Sequence, residues 1–113
     1  MTIINATKKT IVATEVKIAN TFITRLIGLL NRKSISPEEA LIIYGCRSIH
    51  MFFMKFSIDV IFMNKENRIV GLVENIKPFR VSPTFLKSYY AIELAVGTIE
   101  KTRSQQGDQL IVN

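Results

Sequence analysis

The stretch CRSIHMFFMKFSIDVIFMN, Cys46 to Asn64, decides the fold. Its two halves, Ile49 to Met54 and Ser57 to Met63, are short, aromatic and β-branched, and read as the buried strand core of a small, soluble, β-rich domain. The second half meets Arg68 to Glu74 across Asn64-Lys65-Glu66-Asn67, and a polar loop of that length predicts an antiparallel hairpin. Upstream, Ala40 to Tyr44 is an apolar, β-branched run suited to a strand buried on both faces, and Gly45 ends it. Downstream, Pro78 and Pro83 bracket a loop, because proline cannot donate to a strand ladder; Tyr89 to Val96 then resumes strand character until Gly97.

Toward the amino terminus, Ile3-Ile4 and Thr10 to Ala19 read as two strands of a half-buried hairpin around Thr7-Lys8-Lys9. Asn20 or Thr21 can cap a helix whose apolar residues Phe22, Leu26, Leu29 and Leu30 fall at helical spacing, ending near Asn31. Ser36-Pro37-Glu38-Glu39 carries the signature of one short helical turn. At the other end, Thr98 to Ser104 reads as a helical turn, Gln106-Gly107-Asp108 as a turn and Leu110 to Val112 as a last strand. The pattern predicts an α+β, mostly β fold: a small curved sheet or partial barrel of seven to eight short, mainly antiparallel strands packed by one helix. A parallel α/β fold would need crossover helices that the sequence lacks.

A chain of 113 residues, 48% hydrophobic and 21% charged, fits a single globular domain over residues 1–113. One cysteine, Cys46, cannot form an internal disulfide, and the amino terminus shows neither a signal peptide nor a membrane-spanning run; the expectation is a cytoplasmic protein with no membrane segment. The formal charge of +6 is scattered from Lys8 to Arg103, with pairs such as Lys8-Lys9 and Arg32-Lys33 and no basic run, which reads as a solvated surface.

Four polar residues stand where the periodicity wants apolar ones. Arg25 shares a helix face with Phe22 and Leu29, Asp59 interrupts Ser57 to Met63, Glu93 interrupts Tyr90 to Val96, and His50 shares a strand side with Phe52 and Met54. A charge enters such a core when paired, so Arg25 calls for Asp59 or Glu93 as a carboxylate partner. The bland reading is a buried polar network that fixes how the helix docks. The functional one is a cleft in which Arg25, His50, Asp59 and Glu93 hold a ligand.

Catalytic constellations are thin. Cys46 with His50 would make a nucleophile pair, and His50 with Asp59 or Glu93 a hydrolase-like general base, yet no recognised catalytic motif accompanies them. Cys46, His50, Met51 and Met54 are donors of the kind soft metals favour, but strand alternation points Met51 away from His50 and Met54, and methionines in such runs usually fill cores; no metal or cofactor is expected. Glycine loops for phosphate, zinc spacings and serine elbows are missing. Arg47, Lys55 and Arg80 beside Phe52, Phe53, Phe79, Tyr89 and Tyr90 give a candidate surface for single-stranded nucleic acid, although the same aromatics suit a β core better.

These residues fall in ordered blocks: Arg25 to Leu30, Ser48 to Phe62, Pro78-Phe79-Arg80, Glu93 to Gly97, and Gly107-Asp108. With them the chain resembles the family called domain of unknown function 192, over a match running nearly from Thr10 to Val112. The family pattern usually carries Met at Leu30, Thr at Met51, Gly at Phe53 and Pro at Ser57, so the resemblance gives Met51 no ligand role. It implies a compact β-rich domain with some helix and no established activity. The sequence therefore predicts a non-enzymatic domain that binds a small molecule or protein, with the hydrolase-like and nucleic-acid readings as alternatives; ligand and oligomeric state are not legible.

Overall fold

The computed structural model describes residues 1–19, 32–52 and 54–113. Eight strands form among them: β1 Ile3–Asn5, β2 Thr10–Ala13, β3 Glu15–Ala19, β4 Glu39–Tyr44, β5 Ile58–Met63, β6 Ile69–Ile76, β7 Tyr90–Leu94 and β8 Leu110–Val112. One short helix, α1, spans Thr98–Thr102. The helix expected over Phe22 to Leu30 lies outside the described residues.

The strands make two sheets, a small one in the order β2-β1-β8 and a larger one in the order β3-β4-β7-β5-β6. Neither closes into a barrel, and every pairing is antiparallel except β3 with β4. All six residues of β5 and all five of β7 are buried. That explains their near-continuous apolar sequence: both strands are flanked by neighbours and covered on both faces.

Each face of the large sheet has its own core. On one, Ile61, Met63, Ile92 and Leu94 pack with Ile3 and Leu110 of the small sheet and Ile99 of α1. On the other, Val60, Phe62, Leu41 and Ala91 pack with Ile49, Met51 and Met54, which belong to the long connection between β4 and β5. Gly71 of β6 permits a close approach on this second face. A Cβ there would collide with the Phe85 ring, which lies against Phe62 at 4.6 Å between centroids.

Three expectations change. Thr10 to Ala19 is two strands, because the Thr14 and Glu15 N–H groups both donate to the Glu38 carbonyl and turn the chain from the small sheet into the large one. Among the described residues of Ile49 to Met54 there is no strand: a single bridge joins His50 to Val81, and buried Met54 falls out of the two-residue alternation begun by Ile49 and Met51. Ser36 to Glu39 is a turn that opens β4. The Glu39 N–H donates to the Ser36 carbonyl and its carboxylate accepts from the Ser36 N–H, so the capping signature is met without a helix following. Arg32 grips the same carboxylate through two 2.8 Å bonds and, with the Ser36 N–H, holds the Glu39 carboxyl down at about 2 despite partial burial.

Candidate functional site

Strand alternation on β5 and β7 sends the two misfit carboxylates to opposite faces. Asp59 is opposite Leu94, so it faces the small sheet and α1; Glu93 is opposite Val60 and Leu41, so it faces the connection that carries His50.

The Asp59 carboxylate accepts three backbone hydrogen bonds. One oxygen takes the Asn75 N–H at 2.9 Å, and the other takes Gly97 N–H at 3.1 Å and Ile99 N–H at 3.0 Å. Both sets of donors need it. Asn75, at φ 51°, sits in a bulge where β6 gains one residue against β5, which leaves its N–H without a ladder partner. Gly97 precedes α1 and has no side chain to cap it, so a carboxylate from another strand satisfies the first amides and favours the positive end of the helix. Asp59 is 1% exposed and lies across the sheet from the His50 segment; its chemistry in this fold is that of a socket for backbone amides.

Glu93 is fully buried. On its side of the sheet lie buried Met51 and Met54, half-buried Cys46, whose thiol donates to the Ser48 carbonyl at 3.1 Å, and half-buried His50, whose ring stacks against Phe52 at 5.1 Å. His50, Met51 and Glu93 thus share one layer of the molecule. Arg25 is outside the described residues, and so is any contact it makes. Among the described residues no three His, Cys, Asp or Glu side chains gather in a metal-holding cluster.

Above this layer two loop segments are stitched together. Met51 N–H donates to the Arg80 carbonyl, Phe79 N–H to the Met51 carbonyl and Ser82 N–H to the Ile49 carbonyl, while the Ser82 hydroxyl receives the Ile49 N–H. The ladder exposes Phe52, Phe79 and Val81, with Phe79 63% accessible. Phe79 also holds φ 66°, a left-handed conformation that costs a bulky residue roughly 1–2 kcal/mol. Arg80, Lys55 and Arg47 are exposed. The other candidate aromatics separate: Phe53 is outside the described residues, and Tyr89 carries Lys65 over its ring at 5.3 Å. Tyr90 is buried, its hydroxyl donating to Asn67 at 2.7 Å, and burial beside Tyr44 pushes its phenol up to about 12.

The profile of DUF192, described as an uncharacterized ACR, matches residues 3–112. The chain belongs to the DUF192 family. It is 37% identical to the UPF0127 protein of Pyrococcus horikoshii over 96% of each chain, and 35% identical to that of Thermococcus sibiricus over 96% of this chain and 72% of the relative. Two crystal structures share the fold. A protein of unknown function from Novosphingobium aromaticivorans superposes with a TM-score of 0.82 at 18% identity, covering 98% of this chain and 82% of that one. A putative transcription regulator from Sinorhizobium meliloti gives 0.80 at 22%, covering 97% and 89%. The family is uncharacterised, the two UPF0127 relatives carry no assigned activity, and the likeness to the two crystal structures, both under 25% identical, shows the fold alone.

Within this DUF192 chain, one polar cluster escaped the sequence reading, which gave Gly107-Asp108 no more than a turn and a family block. Asp108 accepts from the Asn5 amide at 3.0 Å, the Lys8 ammonium at 2.9 Å and the Gln105 N–H at 2.9 Å, so it ties the β1–β2 turn to the turn before β8. Burial pushes its carboxyl up, but those bonds and the Lys8 charge outweigh it and hold the group below its ordinary value. The signal for this role was Asn5, a fully buried amide inside an isoleucine-rich strand.

Proposed function

We propose that this protein is a non-catalytic binding domain that engages its partner through the ladder of residues 49–52 and 79–82, with Phe52, Phe79 and Val81 as apolar contacts and His50 and Arg80 beside them. The observation that carries the reading is Phe79. A bulky residue held at positive φ and two-thirds exposed carries backbone strain at the surface, and such strain concentrates at recognition sites. The Asp59 socket adds support, since a carboxylate facing three backbone amides across the sheet is poorly placed as the partner of a His50 base. Glu93 then belongs to the polar layer beneath the surface. Arg47, Lys55 and Arg80 favour a partner with negative charge.

No helix among the described residues is long and apolar enough to cross a membrane. A reducing cytoplasm suits the single cysteine, a thiol bonded to a backbone carbonyl.

Native mass spectrometry of the protein purified from its own cells tests the reading. The wild type is expected to carry a non-covalent metabolite or protein that a Phe52→Ser/Phe79→Ser variant, with the same melting temperature, no longer holds. A turnover abolished by His50→Gln alone would replace it with the hydrolase-like alternative. Retention of oligo(dT) that falls steeply with salt and with Arg80→Gln would instead favour nucleic acid.

A further inference from the structure

A concave surface lies beside Val70 and Phe85, which pack against the second core. The tip of the β5–β6 hairpin, the segment 84–87 and the turn at Gln106-Gly107 enclose a groove of about 590 Å³, within the size range of small-molecule sites. None of its lining residues belongs to the Phe52–Phe79 surface.

Its chemistry is asymmetric. The lining contains two cations, Arg68 on the hairpin and Lys87 on the facing segment, and no acidic residue. The Arg68 guanidinium donates one bond, to the Gly107 carbonyl at 3.1 Å, which fixes it against the turn and leaves its second amino group for a ligand. Lys87 is exposed and has no partner among the described residues. Between the cations the wall is apolar: Val70 and Phe85 are half-buried and Leu86, 75% accessible, is the most exposed large hydrophobic side chain described. Phe85 cannot withdraw, because it is seated over Gly71 and against Phe62.

From these features we infer that the groove binds an amphiphilic organic anion, a carboxylate carried on an apolar chain. The carboxylate accepts charge-assisted bonds from Arg68 and Lys87, and the chain covers Leu86, Phe85 and Val70. A bare inorganic anion would leave the apolar wall wet, and an uncharged chain would leave both cations unmatched.

The test is a titration of the full-length, isotope-labelled protein with decanoate, followed by amide chemical shifts. Saturable shifts are expected at Arg68, Val70, Leu86 and Gly107. Acetate and decanol should each bind about tenfold more weakly, since each lacks one half of the match. Lys87→Gln, at an exposed side chain with no hydrogen bond or salt bridge among the described residues, should weaken decanoate about tenfold with an unchanged melting temperature, and Leu86→Ser should weaken it without affecting acetate. The inference is overturned if decylamine binds as well as decanoate, if the shifts are unsaturable or scattered over other surfaces, or if Lys87→Gln and Leu86→Ser bind like wild type. Loss of the Phe52–Phe79 partner leaves these outcomes unaffected, so the two sites fail or stand separately.

Discussion

The two faces of the large sheet solve different problems with the same strands. The face toward the small sheet is covered by regular elements, and its one misfit carboxylate, Asp59, meets a bulge and a helix end that lack other partners. The face toward the 45–57 connection is covered by irregular backbone and buries Glu93, and above it the chain exposes aromatic residues, one of them strained. A polar residue in a core can therefore be architecture on one side of a strand and lie beneath exposed aromatic residues on the other, one residue pair away.

The largest expected effect breaks the first face. Asp59→Ala removes the acceptor of three N–H groups, one buried and two part-buried, and should cost about 3 kcal/mol in urea denaturation, with Asp59→Asn costing less because one acceptor oxygen survives. A loss below about 1 kcal/mol would mean that the bulge and α1 satisfy themselves and that the contrast between faces is wrong.

Next comes the partner of Glu93. With Asp59 occupied by amides, Arg25 should couple to Glu93. An Arg25→Met/Glu93→Gln double-mutant cycle is expected to give roughly 1–3 kcal/mol, whereas the same cycle with Asp59→Asn should give close to none.

A smaller effect is read from pH. The Asp108 carboxyl is held below its unfolded value, so its contribution is present above that value and lost as pH falls through the lower folded one. Asp108→Asn should lower stability by about 1 kcal/mol at neutral pH, and the gap to wild type should close on acidification below roughly pH 4. A gap that stays constant down to the acid limit would show that hydrogen-bond geometry, and not charge, ties the two turns.

The smallest effect has the opposite sign and belongs to the second face. Phe79→Asn suits the left-handed backbone better and should stabilise the fold by about 0.5 kcal/mol while removing the apolar contact. Destabilisation with partner binding intact would make Phe79 a packing residue.

Much of this was legible in the sequence because periodicity reports local facing. The all-buried β5 and β7, the hairpin at Asn64 to Asn67 and the strand ended by Gly45 follow from apolar runs and turn residues. The reading failed at Ile49 to Met54. Its composition is that of a strand, but the backbone bonds go to Ile49–Ser82 and Met51–Arg80 pairs in a loop far along the chain. It also missed the split at Thr14, where two N–H groups share one carbonyl across a turn.

The sequence by itself determined the family, the β-rich class and that the core must accommodate Asp59 and Glu93, because burial and strand alternation are local consequences of side-chain type. Only the tertiary structure decided what those residues face. The register of β5 against β7 turned Asp59 and Glu93 to opposite sides, and in a two-residue repeat a shift of one position would exchange every such assignment.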